Sequence, residues 1–306
     1  MEQRQALGIK WWLEREAESA AKDGSSHQNG DGVHPPEDAI EELADEPEAP
    51  LPVKPQSPAM PPDYLGIDTL GRLGLRHDGQ DFGPELMKRP VIAFIWLYLL
   101  LRSLTGPKDR VMRADLADEL TPGMPPEKQR TRLRNRLSNM LNGTLPAPLA
   151  ARMVVDHDES VRLDLTQCSI DLLRLEKMAA ECVAKEGMLS PDLVDDAAAL
   201  LDESAGEFLP GWEQLENAVN GARGAAGELV RQLRQRAETA RIDLMGALAA
   251  NYLARQEPSR AIPLLEQALE RQPDREDLAR KLRTAYLATG QMARAADLGR
   301  DHALDS

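Results

Sequence analysis

The chain has 306 residues, 42% hydrophobic and 29% charged, and a net charge of -14; that length suits two domains. Two cysteines, Cys168 and Cys182, and the lack of a signal peptide exclude a disulfide-stapled secreted scaffold and a Cys-rich zinc module, and predict a cytoplasmic protein. The longest apolar run, Val91 to Leu101, spans about 16 Å as a helix against a bilayer core of ~30 Å, so no transmembrane segment is expected.

Residues 1–63 are not expected to form a domain. Gln3 to Ala21 suits a short helix, and Trp11-Trp12 is either a partner or membrane-interface anchor or a weakly packed pair on a frayed helix. The segment after it is acidic and Gly-rich, with nine prolines between Pro35 and Pro62. A disordered acidic tether is expected there, because so little apolar surface cannot offset the entropy of ordering.

Residues 64–165 are expected to form a winged helix-turn-helix. Short apolar stretches broken by glycines and by His77-Asp78-Gly79 read as a small β element after Tyr64. The apolar run behind Pro90 then predicts a buried helix to about Leu104, stopped by Thr105-Gly106-Pro107. A second helix is expected over Arg113 to Leu120 and a third over Pro126 to Asn142, ended by Gly143. The stretch Arg152 to Leu165, with valines on either side of Asp156-His157-Asp158-Glu159, reads as a β-hairpin.

Everything from residue 166 to 306 reads as helix. A period of 34 relates Leu248, Tyr252 and Ala261 to Leu282, Tyr286 and Ala295, and Leu248, Ala249, Tyr252, Ala261, Ala268 and Pro273 sit at tetratricopeptide-repeat (TPR) offsets. Small residues at these offsets let antiparallel helices approach, and Tyr252 fills the space between turns. The predicted fold class is therefore mainly α: a winged helix-turn-helix followed by an α-helical TPR-like domain, with a disordered N-terminal tether.

The net charge is uneven. Residues 1–63 hold 5 Lys+Arg against 14 Asp+Glu, residues 64–165 hold 15 against 13, and residues 166–306 hold 17 against 24. A polyanion would therefore be met in the middle region. Lys128 to Arg136 contains five cations and no acid. On a helix, Leu133, Leu137, Met140 and Leu141 share the inward face. Arg132, Asn135, Arg136 and Asn139 share the opposite one, and forked Arg and Asn side chains match guanine and adenine edges in the major groove. Lys128, Arg130 and Arg134 flank that stripe where phosphates would lie, and Arg152 and Arg162 on the hairpin are candidates for an adjacent backbone or minor groove. Double-stranded DNA is the expected partner, and the acidic tether either folds back over this face or leaves it open.

The order of parts resembles regulators of the antibiotic-regulatory-protein (SARP) type with a bacterial transcriptional activator domain (BTAD), over about residues 64–300. The residues that carry the likeness are Gly206 to Glu216 (GEFLPGWEQLE), Ala261 to Ala295, Leu165 to Met178 and the Thr131 to Gly143 helix. The resemblance implies sequence-specific DNA binding, transcription activation and paired protomers on direct repeats. The repeats would contact RNA polymerase, another protein or a second copy in a homodimer. The acidic tether departs from the family pattern, and no P-loop is present.

No enzyme signature occurs, and no cofactor or metal is expected. The five histidines, His27, His34, His77, His157 and His302, are scattered. Cys168 and Cys182 read as packing residues in helical sequence. Gly221, Gly224 and Gly227 mark either a bend or close helix contact or a hinge. A second reading of the whole chain is a protein-interaction adaptor whose winged helix does not touch DNA, favoured by the acidic flanks.

Overall fold

Extended residues 65–81 lay down the first sheet: β1 (Leu65–Asp68), β2 (Gly74–His77) and β3 (Gln80–Asp81), joined antiparallel in register with Gly66 opposite Arg76. The structure is a computed structural model and describes residues 64–106, 110–219 and 225–302. The expected Gln3–Ala21 helix, the Trp11-Trp12 pair and the acidic tether lie outside the described residues.

The short helix α1 (Gly83–Met87) leads into α2 (Pro90–Thr105), which starts on a proline at its first position and is apolar all round. Such a helix must be covered on every side, and ten of its residues are buried. Next come β4 (Val111–Met112), α3 (Arg113–Leu120) and α4 (Pro126–Asn139). The third helix was expected to run to Asn142. It gives way after Asn139 to a π-helical turn, Met140–Thr144, because Gly143 sits at φ +120°. A further short helix, α5 (Ala147–Ala150), precedes the hairpin of β5 (Met153–Val155) and β6 (Ser160–Leu163). β6 also pairs with β4, placing Val111 against Val161 in a three-stranded sheet.

The expectation of helix directly after Leu165 is corrected. Cys168–Ile170 forms β7, parallel to β1, with Leu65 opposite Cys168 and Ile67 opposite Ile170. Cys168 is thus a strand residue. Three residues carry too little periodicity to announce a strand, and the edge of β1 supplies the partner. Just beyond, Asp171 opens α6 (Asp171–Ala184) and its carboxylate ties the sheet to the helix. It accepts from the Thr69 N–H at 2.6 Å, the Thr69 hydroxyl at 2.6 Å, the Leu70 N–H at 2.7 Å and its neighbour Leu172 N–H at 2.7 Å.

The helical part continues with α7 (Pro191–Glu203), capped by the Ser190 side chain, then α8 (Trp212–Ala218) and the 30-residue α9 (Ala225–Ala254). Within the sequence that reads as helix, residues 212–254 thus hold two helices among the described residues. Gly221 and Gly224 lie outside the described residues, while Gly227 sits in α9 where an added Cβ would come 3.2 Å from the Glu216 carboxylate. The turn GEFLPG crosses the first sheet closely. A Cβ on Gly206 would lie 2.0 Å from the Gly71 Cα, and Gly71 N–H donates to the Glu207 carbonyl at 2.8 Å.

α2 is the shared core element: Phe94 stacks on Trp212 at 5.4 Å between ring centres, and α2 packs along α9. Polar ties follow the same seam. Arg236 on α9 holds Glu176 through two 2.8 Å bonds and donates to the Leu104 carbonyl at the end of α2. Residues Asp63–Ser306 form one compact unit. No helix among the described residues is long and apolar enough to cross a membrane.

The end of α9 pairs with α10 (Pro258–Arg271), and α11 (Glu276–Ala288) with α12 (Met292–Asp301). The 34-residue period is geometric. Glu257 N–H donates to the Tyr252 carbonyl and Gln291 N–H to the Tyr286 carbonyl, both at 2.8 Å. The turn residues Gln256 and Gly290 both have positive φ, 61° and 76°. Arg260 lies over the Tyr252 ring at 4.2 Å and Arg294 over the Tyr286 ring at 4.6 Å. The Arg260/Arg294 pair is a further pair at the same spacing. Leu248, Tyr252, Ala261, Leu282, Tyr286 and Ala295 are all buried.

Candidate nucleic-acid interface

The turn between α3 and α4, Thr121-Pro122-Gly123-Met124-Pro125, sets the angle of the two helices. Gly123 takes φ +76°, a left-handed conformation open to glycine without strain. Gln129, on the first turns of α4, is buried and reaches back. Its Nε2 donates to the Thr121 carbonyl at 2.7 Å and to Asp118 on α3 at 3.2 Å. That clamp orients α4: Gln129, four residues before Leu133, falls on the inward face by helical spacing, although its polar side chain and its place inside the basic run disguise it.

Leu133, Leu137 and Met140 are buried beneath the helix, with Leu141 half-buried, as the spacing predicts. On the other side Lys128, Arg130, Arg132, Arg134, Asn135 and Asn139 are exposed and Arg136 is half-buried. Among the described residues, none of these five cations has a carboxylate within ion-pair distance, whereas arginines elsewhere are engaged: Arg76 with Asp68, Arg234 with Glu213, Arg275 with Asp243. Burial lowers the Arg136 pKa, and repulsion from Arg132 lowers it further. Uncompensated positive charge is therefore concentrated on the exposed surface of α4, Arg132 and Arg136 on one flank and Arg130 and Arg134 on the other.

The remaining two candidates lie on the hairpin. Arg152 is half-buried at its base, where its carbonyl accepts from Asp164 N–H at 2.7 Å. Arg162 on β6 pairs with Asp156 at 3.4 Å. The hairpin tip is acidic. Asp158 faces Arg110 at 3.3 Å, and hydrogen bonds from Ser160 hold its carboxyl below the usual range. Seven of the nine predicted residues thus share one helix, Arg162 sits beside the acidic turn and Arg152 lies at the hairpin base.

Glu119 on α3 accepts from Ala226 N–H at 3.1 Å, so the helix-turn-helix supplies a carboxylate to the first turn of α9. Sequence spacing has no means of joining residues 107 positions apart.

A tetratricopeptide-repeat family model matches residues 252–298. No curated protein matches the chain. Among solved structures, Mycobacterium tuberculosis EmbR in complex with a low affinity phosphopeptide resembles it with a TM-score of 0.54 at 20% identity, over 78% of this chain and 58% of that one. The chain thus spans less than two thirds of that protein's length, and the likeness is one of fold.

Proposed function

We propose that the protein is a sequence-specific DNA-binding transcriptional regulator, an activator of the SARP type that its sequence resembles. α4 enters the major groove, where Arg132, Asn135, Arg136 and Asn139 read base edges. Lys128, Arg130 and Arg134 hold phosphates, with Arg152 and Arg162 reaching the backbone from the hairpin. The repeats contact RNA polymerase, another protein or a second copy of the chain. The observation that carries this reading is the row of α4 cations without ion-pair partners among the described residues.

The test is fluorescence anisotropy on duplex DNA from the protein's own promoter region over a salt series. Three helix contacts predict a log–log slope of about -2.7, and both hairpin arginines would take it to about -4.5. Arg132→Ala with Arg136→Ala is expected to remove about 2–6 kcal/mol of discrimination against a scrambled duplex. Absent or salt-independent binding would overturn the reading.

The acidic hairpin tip favours a second reading, an adaptor that binds proteins only. A pull-down that retains partners through the repeats, with no duplex binding even at low salt, would select it.

A further inference from the structure

Where α7 and α10 flank α9, a pocket of about 460 Å³ opens beside the first regular repeat. Its volume lies in the range of small-molecule sites. Leu201, Met245, Leu248 and Leu264 give it an apolar wall. Arg241 closes its floor at 4% exposure. The Arg241 guanidinium donates to Glu238 and to the Ser204 and Gly206 carbonyls, and its Nε–H has no acceptor. Arg271, at the same end, bonds both oxygens of that same Glu238 at 3.0 and 3.2 Å.

Two guanidinium groups therefore share one carboxylate beside the pocket, Arg241 from the buried floor and Arg271 from the exposed rim. Near the mouth Arg260 is already paired with Glu257 at 3.0 Å, and Asp202, exposed like Arg271, is screened by water. Arg241 is the buried cation of the pocket, with an Nε–H that has no acceptor, and there the dielectric is lower and an anion would be felt most. We propose that this pocket binds a small apolar carboxylate, its anionic head at Arg271 and Arg241 and its hydrocarbon body along Leu201, Met245, Leu248 and Leu264. Burial lowers the Arg241 pKa, Glu238 opposes that shift and Arg271 adds to it, so a second carboxylate at this end relieves an existing imbalance.

The experiment uses the full chain and three eight-carbon probes: octanoate, octylammonium and octanol. Saturable binding is read by displacement of the fluorescent sulfonate 8-anilinonaphthalene-1-sulfonate and by the rise in Tm. Octanoate is expected to displace the dye and raise Tm, octylammonium and octanol at least tenfold less effectively. Arg271→Gln leaves Glu238 to Arg241 alone, and Leu264→Trp fills the pocket from a half-buried position. Each should weaken octanoate at least tenfold while the circular dichroism spectrum stays unchanged. Equal binding of the three probes, no saturable octanoate binding, or unchanged affinity in Leu264→Trp would each overturn the proposal. So would an acidic peptide that displaces the dye where octanoate does not, since that assigns the groove to a protein partner.

Discussion

Replacing Arg130 and Arg134 together by alanine isolates the phosphate-holding role of α4. Both side chains are exposed, and neither has an ion-pair partner among the described residues, so their removal strands no carboxylate. Alanine is also a better helix former than arginine, and folding stability should stay within about 0.5 kcal/mol. Each phosphate contact contributes about -0.9 to the salt slope, so the double variant should bind duplex DNA with a slope shallower by about 1.8. Between 50 and 200 mM salt, a fourfold change, its affinity should fall about 12-fold less than that of the parent chain. Anisotropy titrations at four or more salt concentrations give both slopes, and urea denaturation checks the fold. Coincident slopes in a folded variant would refute the placement of these side chains on phosphates.

Asp171→Ala removes the acceptor for three backbone N–H groups and the Thr69 hydroxyl; a loss of about 3 kcal/mol is expected from the urea midpoint, and less than about 1 kcal/mol would deny the tie. Gly206→Ala places a methyl against the Gly71 backbone, which can retreat only by breaking the 2.8 Å Gly71–Glu207 bond, so a cost of about 3 kcal/mol or more should appear in the same assay. Tyr286 donates to Glu266, and burial together with that carboxylate pushes its pKa up to about 12 from an ordinary 10.0. Because the folded value is raised, the stabilisation is complete below pH 10 and fades as pH rises through about 12. The stability gap between the parent chain and Tyr286→Phe should therefore shrink over that interval, and a constant gap would count against the bond.

Patterns that repeat over many residues were readable in one dimension. The apolar run of α2 requires burial on all sides, the 34-residue spacing of Tyr252 and Tyr286 requires stacked helix pairs, and the alternation of leucine and arginine along α4 separates an inner from an outer face. Each rests on periodicity, which the chain carries by itself. What escaped were single partnerships across long separations. β7 exists because β1 offers it an edge, and Gly206 of GEFLPG faces Gly71 across a backbone crossing. Glu119 meets α9, and Arg241 and Arg271 come to share Glu238, only after the helices have packed. Such contacts are few and specific and leave no period behind; their positions follow from the packing of α2 and α9.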